Sequence, residues 1–322
     1  CILGITAVGI GQEVNSVQRL KKIEPFLKAE EVHIQQDAED NLWITAPGKV
    51  MAYNSIEVKD YNKFRGIPRE IGTEFIQTYT DSENKIWLSG NLGLAVFDSE
   101  KGEFQFVSNI TGRIYSMLED TSKQLWLAAE NGVFKLNIDS KTDDFDISRF
   151  LSENTIASDI VLFNNNIVFA GPNGILTINR RSGKFSKLDM GYYQNLDISS
   201  ALALDDYIIF GTRENGMFKS DANLKNIQKI YSLPYTLSRE EITDLETFNE
   251  EIIVSTNGSG IFRLDKNLNP ISTENDVYPE NVYNIHLNDQ NLLWMVGREG
   301  LFLQNFSSYA IEKLKNDPAI YS

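Results

Sequence analysis

The chain has 322 residues, of which 45 are acidic and 30 are basic, and its formal net charge is −15. A charge of this sign excludes a nucleic-acid partner and an anionic membrane surface, because both require a basic footprint. The single cysteine, Cys1, excludes an internal disulfide and a cysteine-based metal site.

The chain begins with an apolar segment, CILGITAVGIG, which is followed at once by polar sequence. This segment is too short to cross a bilayer. The small residues Ala7 and Gly9 favour the tail of a secretory signal, and we assign residues 1–12 to it. Two alternatives stay open: Cys1 as the acceptor of a lipid anchor, and an irregular buried leader.

Seven segments repeat one pattern of a polar turn, an apolar strand, a glycine loop and a second apolar strand. Four copies have a tryptophan at one frame position and three have an aliphatic residue; these anchors are Trp43, Trp87, Trp126, Val168, Ile209, Ile253 and Trp294. Successive anchors are 39 to 44 residues apart. Strand repeats of about 40–50 residues are the signature of a β-propeller. We therefore predict an all-β fold, a seven-bladed β-propeller of four-stranded antiparallel blades, over residues 13–314.

The repeat around Trp126 shows how one blade is built. IYSMLE, which starts at Ile114, is predicted to be the innermost strand, and the polar turn DTSKQ follows it. LWLAA is apolar, as expected for a strand between neighbouring blades, and VFKLN forms the third strand. A charged stretch around Phe145 supplies the outer strand, where charge discourages pairing with other sheets. The repeated tryptophans are interpreted as packing between blades.

The two ends of the repeat array predict how the ring closes. Residues 16–23, SVQRLKKI, read as a spare strand before the first complete blade. We expect them to add the outer strand to the blade of Trp294, by pairing near Leu301–Gln304. At the other end AIYS resembles the opening of an inner strand, so residues 315–322 are predicted to start a following repeat or a second propeller.

The copies around the four tryptophans resemble the repeat of the two-component regulator propeller family, I-x-x-I-x-x-D-x-x-G-x-L-W-I-G-T-x-x-G-L-x-x-Y-D. The copies around Val168, Ile209 and Ile253 are degenerate and lack the tryptophan. In that family, propellers form the periplasmic sensor of membrane-spanning histidine kinases in gut Bacteroidetes. Many of these sensors recognise breakdown products of complex carbohydrates.

The resemblance implies a non-catalytic extracytoplasmic ligand-sensing propeller of a hybrid two-component histidine kinase. It places the segment on the periplasmic or extracellular side of a bacterial inner membrane. The expected partners are an oligosaccharide or another small ligand and a second propeller module of the same chain, and a homodimer stays open. No cofactor and no metal are expected, and any kinase activity would belong to the full-length protein.

Candidate ligand-binding residues come from the turns between second and third strands and from the loops that lead into inner strands. Aromatic faces stack on sugar rings, while amide, guanidinium and carboxylate groups bond hydroxyls. The predicted ligand-binding residues are Arg213, Arg298, Tyr235, Tyr192, Asn215 and Glu299. The two arginines stand where other blades carry Asn, Pro or Glu, so the repeat itself does not require them.

Two other functions stay open: a free-standing protein-interaction propeller and a propeller lyase or glycosidase. The enzyme alternative depends on His33 and His286, which fall in inner strands of blades that are adjacent in a closed ring. Streptogramin lyases are seven-bladed propellers that use a histidine. The turns DAEDN, DSENK and DTSKQ resemble calcium loops only faintly, because none continues with the glycine and bidentate glutamate of a calcium hand. We interpret them as hairpin turns.

Overall fold

The computed structural model describes residues 18–19, 32–54, 56–61, 66–139, 144–151, 155–272 and 278–306. Within these ranges seven four-stranded antiparallel sheets follow one another along the chain. The predicted seven-bladed β-propeller is therefore confirmed. The predicted signal tail, residues 1–12, and the predicted start of a following repeat, residues 315–322, lie outside the described residues.

Each blade is one sheet whose strands run outward from the central axis in chain order. The first strand, β1 (Gln18–Arg19), belongs to the last blade. The first three blades consist of β2 (His33–Gln36), β3 (Leu42–Ala46), β4 (Lys49–Tyr53) and β5 (Val58–Asp60), then β6 (Phe75–Thr80), β7 (Ile86–Gly90), β8 (Gly93–Asp98) and β9 (Glu103–Thr111), then β10 (Ile114–Glu119), β11 (Gln124–Ala129), β12 (Gly132–Asp139) and β13 (Asp144–Leu151).

The remaining four blades repeat this arrangement. Blade 4 consists of β14 (Asp159–Phe163), β15 (Asn166–Gly171), β16 (Gly174–Asn179) and β17 (Phe185–Lys187), and blade 5 of β18 (Ile198–Ala203), β19 (Ile208–Thr212), β20 (Met217–Lys219) and β21 (Gln228–Lys229). Blade 6 consists of β22 (Ile242–Phe248), β23 (Glu251–Thr256), β24 (Ile261–Leu264) and β25 (Pro270–Ile271), and blade 7 of β26 (Val282–Leu287), β27 (Leu292–Gly297) and β28 (Gly300–Asn305) together with β1. Short 3-10 helices, Arg69–Ile71 and Gly191–Tyr193, precede the inner strands of blades 2 and 5.

The ring closes through pairing between the two ends of the chain. Gln18 pairs with Leu303 and Arg19 with Phe302, within the predicted pairing region Leu301–Gln304. The other residues of the predicted strand, 16–17 and 20–23, lie outside the described residues. The inner strands of blades 1 and 7 also interact, because the amide N–H of Ile34 donates to Asn284 Oδ1 at 2.8 Å. The ring is therefore closed by a strand that the N-terminal part of the chain adds to blade 7, and by a hydrogen bond between the inner strands of blades 1 and 7.

The core consists of apolar layers between successive blades. Trp43 packs with residues of blade 2, Trp87 with blade 3, Trp126 with blade 4 and Trp294 with blade 1. All four indoles are at most 6% exposed. The tryptophans therefore fill the wedges between blades, as their repeated frame position predicts.

The polar turn before each of the first three tryptophans fixes the indole ring. Asp37, Asp81 and Asp120 each accept turn N–H bonds at one carboxylate oxygen and the indole N–H at the other, at 2.8, 2.9 and 3.0 Å. The same aspartates are buried. Turn chemistry thus accounts for these acidic turns, in agreement with their interpretation as hairpins.

Among the described residues no helix is long and apolar enough to span a membrane.

Candidate functional site

The loops of the propeller fall on two faces because successive strands of a blade run in opposite directions. We call the loop face the end that carries the turns between second and third strands and the segments that lead into the next inner strand. We call the turn face the opposite end, which carries the other hairpins. All six predicted ligand-binding residues lie in segments of the loop face, in blades 5 and 7 or in the segments before blades 5 and 6.

One backbone contact recurs on the loop face and brings two side chains together in each blade that has it. The first residue after the second strand donates its N–H to the carbonyl of the residue just before the inner strand. This bond joins Asn91 to Glu74, Glu130 to Arg113, Arg213 to Asp197 and Asn257 to Glu241, at 2.8 to 3.1 Å. Side chains at these two positions therefore lie side by side.

Arg213 occupies the first of these positions in blade 5 and has structural contacts that the sequence did not predict. Its guanidinium forms ion pairs with Asp197, at 3.4 Å, and with Glu241 of the next blade. Glu241 also accepts a bond at 3.0 Å from the side chain of Asn257. Arg213 is half exposed, so these bonds orient a guanidinium that solvent still reaches.

The chain of contacts continues into blade 7. Asn257 forms a backbone bridge with Asn281, and the Asn281 amide donates to Glu299 Oε1 at 3.4 Å. The other carboxylate oxygen, Glu299 Oε2, is buried and has no hydrogen-bond partner in the described part of the chain. We call the resulting line of side chains across blades 5, 6 and 7 the polar row; it consists of Asp197, Arg213, Glu241, Asn257, Asn281 and Glu299.

Tyr235 lies in the loop that packs directly against the turn of Arg213. Gly216 of that turn has φ +71°, and a Cβ there would lie 2.9 Å from the Ser238 backbone. The Tyr235 side chain is 71% exposed, and the Arg239 guanidinium lies 4.7 Å from the ring centroid. An exposed aromatic ring, with Arg239 over one face, therefore lies in the loop that contacts the turn of Arg213.

The other predicted residues occupy different positions relative to this row. Asn215 is exposed in the same turn as Arg213, where its N–H donates to Thr212 Oγ1 at 2.9 Å. Arg298 is exposed next to Glu299 and has no bonding partner among the described residues. Tyr192 lies in the 3-10 helix before blade 5, and its side chain is outside the description.

The sequence did not single out three members of the row, because their pairing with residues of other turns depends on how the blades pack. Asp197, Glu241 and Asn281 each stand immediately before an inner strand. That position carries a charged or amide side chain in blades 2, 3, 5, 6 and 7, and the other two examples are Glu74 and Arg113. A periodic polar residue before an apolar inner strand is the signal that could have identified them.

The inner strands carry a second group of titratable side chains. Burial lowers the pKa of His33 to about 4, and the charge of His286 contributes to this shift. Burial also lowers the pKa of His286 to about 4. Both imidazoles are therefore neutral at pH 7. The prediction that they lie on inner strands of adjacent blades is confirmed by β2 and β26.

Three further carboxyl groups belong to the inner strands of blades 4 and 6. Burial raises the pKa of Asp159 to about 6, that of Glu246 to about 7, and that of Asp244 well above its usual value. Asp159 Oδ2 accepts the N–H of Ala201 at 2.9 Å, and Asp244 Oδ2 accepts the N–H of Ile285 at 3.1 Å. These carboxyls thus link one inner strand to the next. No group of three or more metal-ligating side chains occurs in the described ranges.

No protein-family model matches the sequence, and no curated protein matches it significantly. Solved structures are similar in fold. The extracellular domain assigned to the hybrid two-component system BT3049 of B. thetaiotaomicron has a TM-score of 0.70 at 17% identity, over 90% of this chain and 41% of that one. The domain assigned to the system BT4673 of the same organism has a TM-score of 0.69 at 16% identity, over 90% and 39%. The chain thus spans about two fifths of these two sensor domains.

A third similar structure is an enzyme. Virginiamycin B lyase from Staphylococcus aureus has a TM-score of 0.68 at 15% identity, over 90% of this chain and 98% of that one. A histidine-to-alanine variant of the lyase is catalytically inactive. At these identities the comparisons show the fold, and the presence of sensor extracellular domains among them matches the predicted family resemblance.

Proposed function

We propose that this chain is the ligand-sensing propeller of a hybrid two-component histidine kinase and that it binds an oligosaccharide without catalysis. The polar row beside the exposed ring of Tyr235 is the observation that carries this proposal. A sugar offers hydroxyl groups, which carboxylates, amides and guanidinium groups bond, and an apolar ring face, which an aromatic side chain covers. Both kinds of partner stand together on the loop face of blades 5 to 7.

The local charge favours an uncharged sugar. The row contributes three carboxylates and one guanidinium, and the exposed Arg239 and Arg298 add two more guanidinium groups. Two carboxylates balance the positive charge of Arg213 and orient its guanidinium. The group is therefore suited to donate hydrogen bonds rather than to attract an anion. A neutral oligosaccharide fits such a balanced site better than an acidic one.

The lyase is the second candidate, because its fold matches and two histidines lie on inner strands. A general base works best when its pKa is near the operating pH. With pKa values lowered to about 4, His33 and His286 are weak bases at pH 7. These low pKa values favour binding over catalysis. A catalytic activity that is lost in H33A would support the enzyme instead.

The remaining parts of the proposal concern the surroundings of the domain. The proposed location is the periplasmic or extracellular side of a bacterial inner membrane. In support, the two domains of similar fold from B. thetaiotaomicron are extracellular domains. The proposed partners are a second propeller module of the same protein and, as an alternative assembly, a second copy of the chain. An interaction propeller without a small ligand stays a separate candidate.

The experiment is titration calorimetry with a panel of neutral oligosaccharides, among them xylo-, malto- and galacto-oligosaccharides. The variant R213A/R298A removes two charged donors, each of which contributes about 1.5–3 kcal/mol when bonded. We expect at least one oligosaccharide to bind the wild type and its affinity to fall at least tenfold in the variant.

A matched control removes two exposed lysines that lie away from the row, K187A/K225A, and should bind like the wild type. Melting temperatures of both variants should stay close to that of the wild type, because surface ion pairs contribute little. Equal affinity in R213A/R298A would contradict the proposed site, and binding of acidic sugars alone would contradict the proposed ligand class.

A further inference from the structure

A groove of about 750 Å³ crosses blades 1 and 2 on the turn face, opposite the polar row. Its floor is aromatic: Trp43 stacks on Tyr61 with ring centroids 5.1 Å apart, and Phe97 contacts both rings edge-on at 5.3 and 5.4 Å. Asp37 holds the indole in place from below. The groove is therefore a rigid depression that the interblade packing forms.

The lining of this groove is strongly acidic. It carries six carboxylates and only two ammonium groups. Asp37 and Asp98 are occupied by bonds within their own turns. Glu39, Glu57 and Glu100 are exposed, and their carboxylates form no hydrogen bond or ion pair among the described residues. Three carboxylates at the rim are thus available to a cationic ligand.

The chain itself shows how a cation sits in the groove. The Lys59 ammonium lies 4.7 Å from the centroid of the Tyr61 ring. Ring faces attract ammonium and guanidinium groups electrostatically. The floor therefore already holds an ammonium group, and the rim has acidic groups for additional positive charges.

An apolar residue next to the rim, between the groove-lining Asn54 and Glu57, favours a protein over a small amine. Ile56 is 76% exposed at the tip of the hairpin between β4 and β5. Its N–H and that of Glu57 both donate to Asn54 Oδ1, at 3.1 and 2.9 Å, so the turn is fixed with the isoleucine held outward. An exposed aliphatic side chain next to acidic groups can contact an apolar side chain of a segment whose basic side chains pair with those groups.

We propose that this groove docks a basic segment of a partner protein, with Lys or Arg side chains against the acidic rim and an apolar side chain against Ile56. The site lies on the face opposite the proposed ligand site. It is independent of the proposed function, since an oligosaccharide on the loop face would leave the groove open.

The test is fluorescence anisotropy with a labelled peptide, KAKALAKAK, added to the full chain, and with the acidic peptide EAEALAEAE for comparison. The basic peptide should bind, and its affinity should fall steeply as salt rises, because screening weakens exposed ion pairs. In E39Q/E57Q/E100Q its affinity should fall about tenfold, as expected for three exposed pairs. I56S should weaken the peptide several-fold and leave spermine binding unchanged.

A control of equal charge, E70Q/D205N/D206N, changes three exposed carboxylates outside the groove and should bind the peptide like the wild type. Equal weakening in both triple variants would mean attraction to the net charge of the chain and would overturn the proposal. No binding of the basic peptide would also overturn the proposal. So would spermine binding that is as tight as peptide binding and is weakened to the same extent by I56S. Oligosaccharide binding should be the same in all these variants, so the two sites fail or succeed separately.

Discussion

Blade 7 lacks a hydrogen bond that blades 1 to 3 possess, and restoring it should stabilise the protein. In this blade Asn288 stands where the others have aspartate. Its Oδ1 accepts the N–H groups of Gln290 and Leu292, while its Nδ2 donates to Gln36 at 2.8 Å. An amide nitrogen cannot accept a hydrogen bond, so the buried Trp294 Nε1 has no hydrogen-bond partner among the residues that the structure describes.

The change N288D supplies the missing acceptor. A hydrogen bond to a charged group contributes about 1.5–3 kcal/mol, and loss of the Gln36 bond costs about 0.5–1.5 kcal/mol. We expect a net stabilisation of about 1 kcal/mol. For a chain of this size that corresponds to a rise of about 1–2 °C in the melting temperature. Denaturant melts followed by tryptophan fluorescence measure it.

The reverse change in a neighbouring repeat is the matched control. D81N removes the acceptor of the Trp87 indole, which is fully buried, and should cost about 1–3 kcal/mol. Opposite signs for N288D and D81N are the expected result. A destabilising N288D together with a neutral D81N would refute the view that the turn aspartate stabilises the fold through the indole.

Three further predictions concern stability. W126A should cost about 3–5 kcal/mol in denaturant melts, because the indole is buried between blades 3 and 4, and a loss below about 1 kcal/mol would contradict the packing role. Because the pKa of Asp159 is raised to about 6, its stabilising contribution is complete below pH 4 and is lost as the pH rises through 6. D159N should therefore gain roughly 3 kcal/mol relative to the wild type between pH 4 and 7, and a pH-independent difference would argue against this shift. E251A removes the carboxylate paired with the fully buried Arg263, and should cost about 3–5 kcal/mol, whereas E251L/R263M should cost much less; equal losses would contradict this.

The architecture could be predicted from the sequence because the strand and turn pattern of one blade repeats seven times. The anchor spacing determines the number of blades, and the spare strand around Gln18 determines how the ring closes. The repeated position of the tryptophans likewise predicts interblade packing, since equivalent positions in different blades contact equivalent parts of the next blade. Such inferences need only local pattern and symmetry.

The candidate site was only partly predictable because its partners come from different blades. Arg213 could be recognised as unusual for the repeat, but its ion pair with Glu241 depends on how blade 6 packs against blade 5. The buried pair of Arg263 and Glu251 is similar: the arginine lies in a strand, and its ring contact at 5.1 Å is Phe306 of the last blade. Contacts between distant segments follow from the blade geometry and not from the local sequence.

The groove on the turn face was missed for the same reason. Its aromatic floor combines Trp43 and Tyr61 of blade 1 with Phe97 of blade 2, which lie far apart in the sequence. The acidic residues of its rim occur in ordinary hairpin turns, where acidic side chains are common. Only their convergence on one depression makes them a candidate site.

Hydrogen exchange of the full chain with and without a bound oligosaccharide tests the central claim most directly. The account predicts that ligand slows exchange in the loop-face segments 213–216, 234–241 and 298–300, with little change elsewhere. Protection centred on the inner strands around His33 and His286 would contradict it and would favour the enzyme, and protection confined to the groove of blades 1 and 2 would place the ligand on the wrong face.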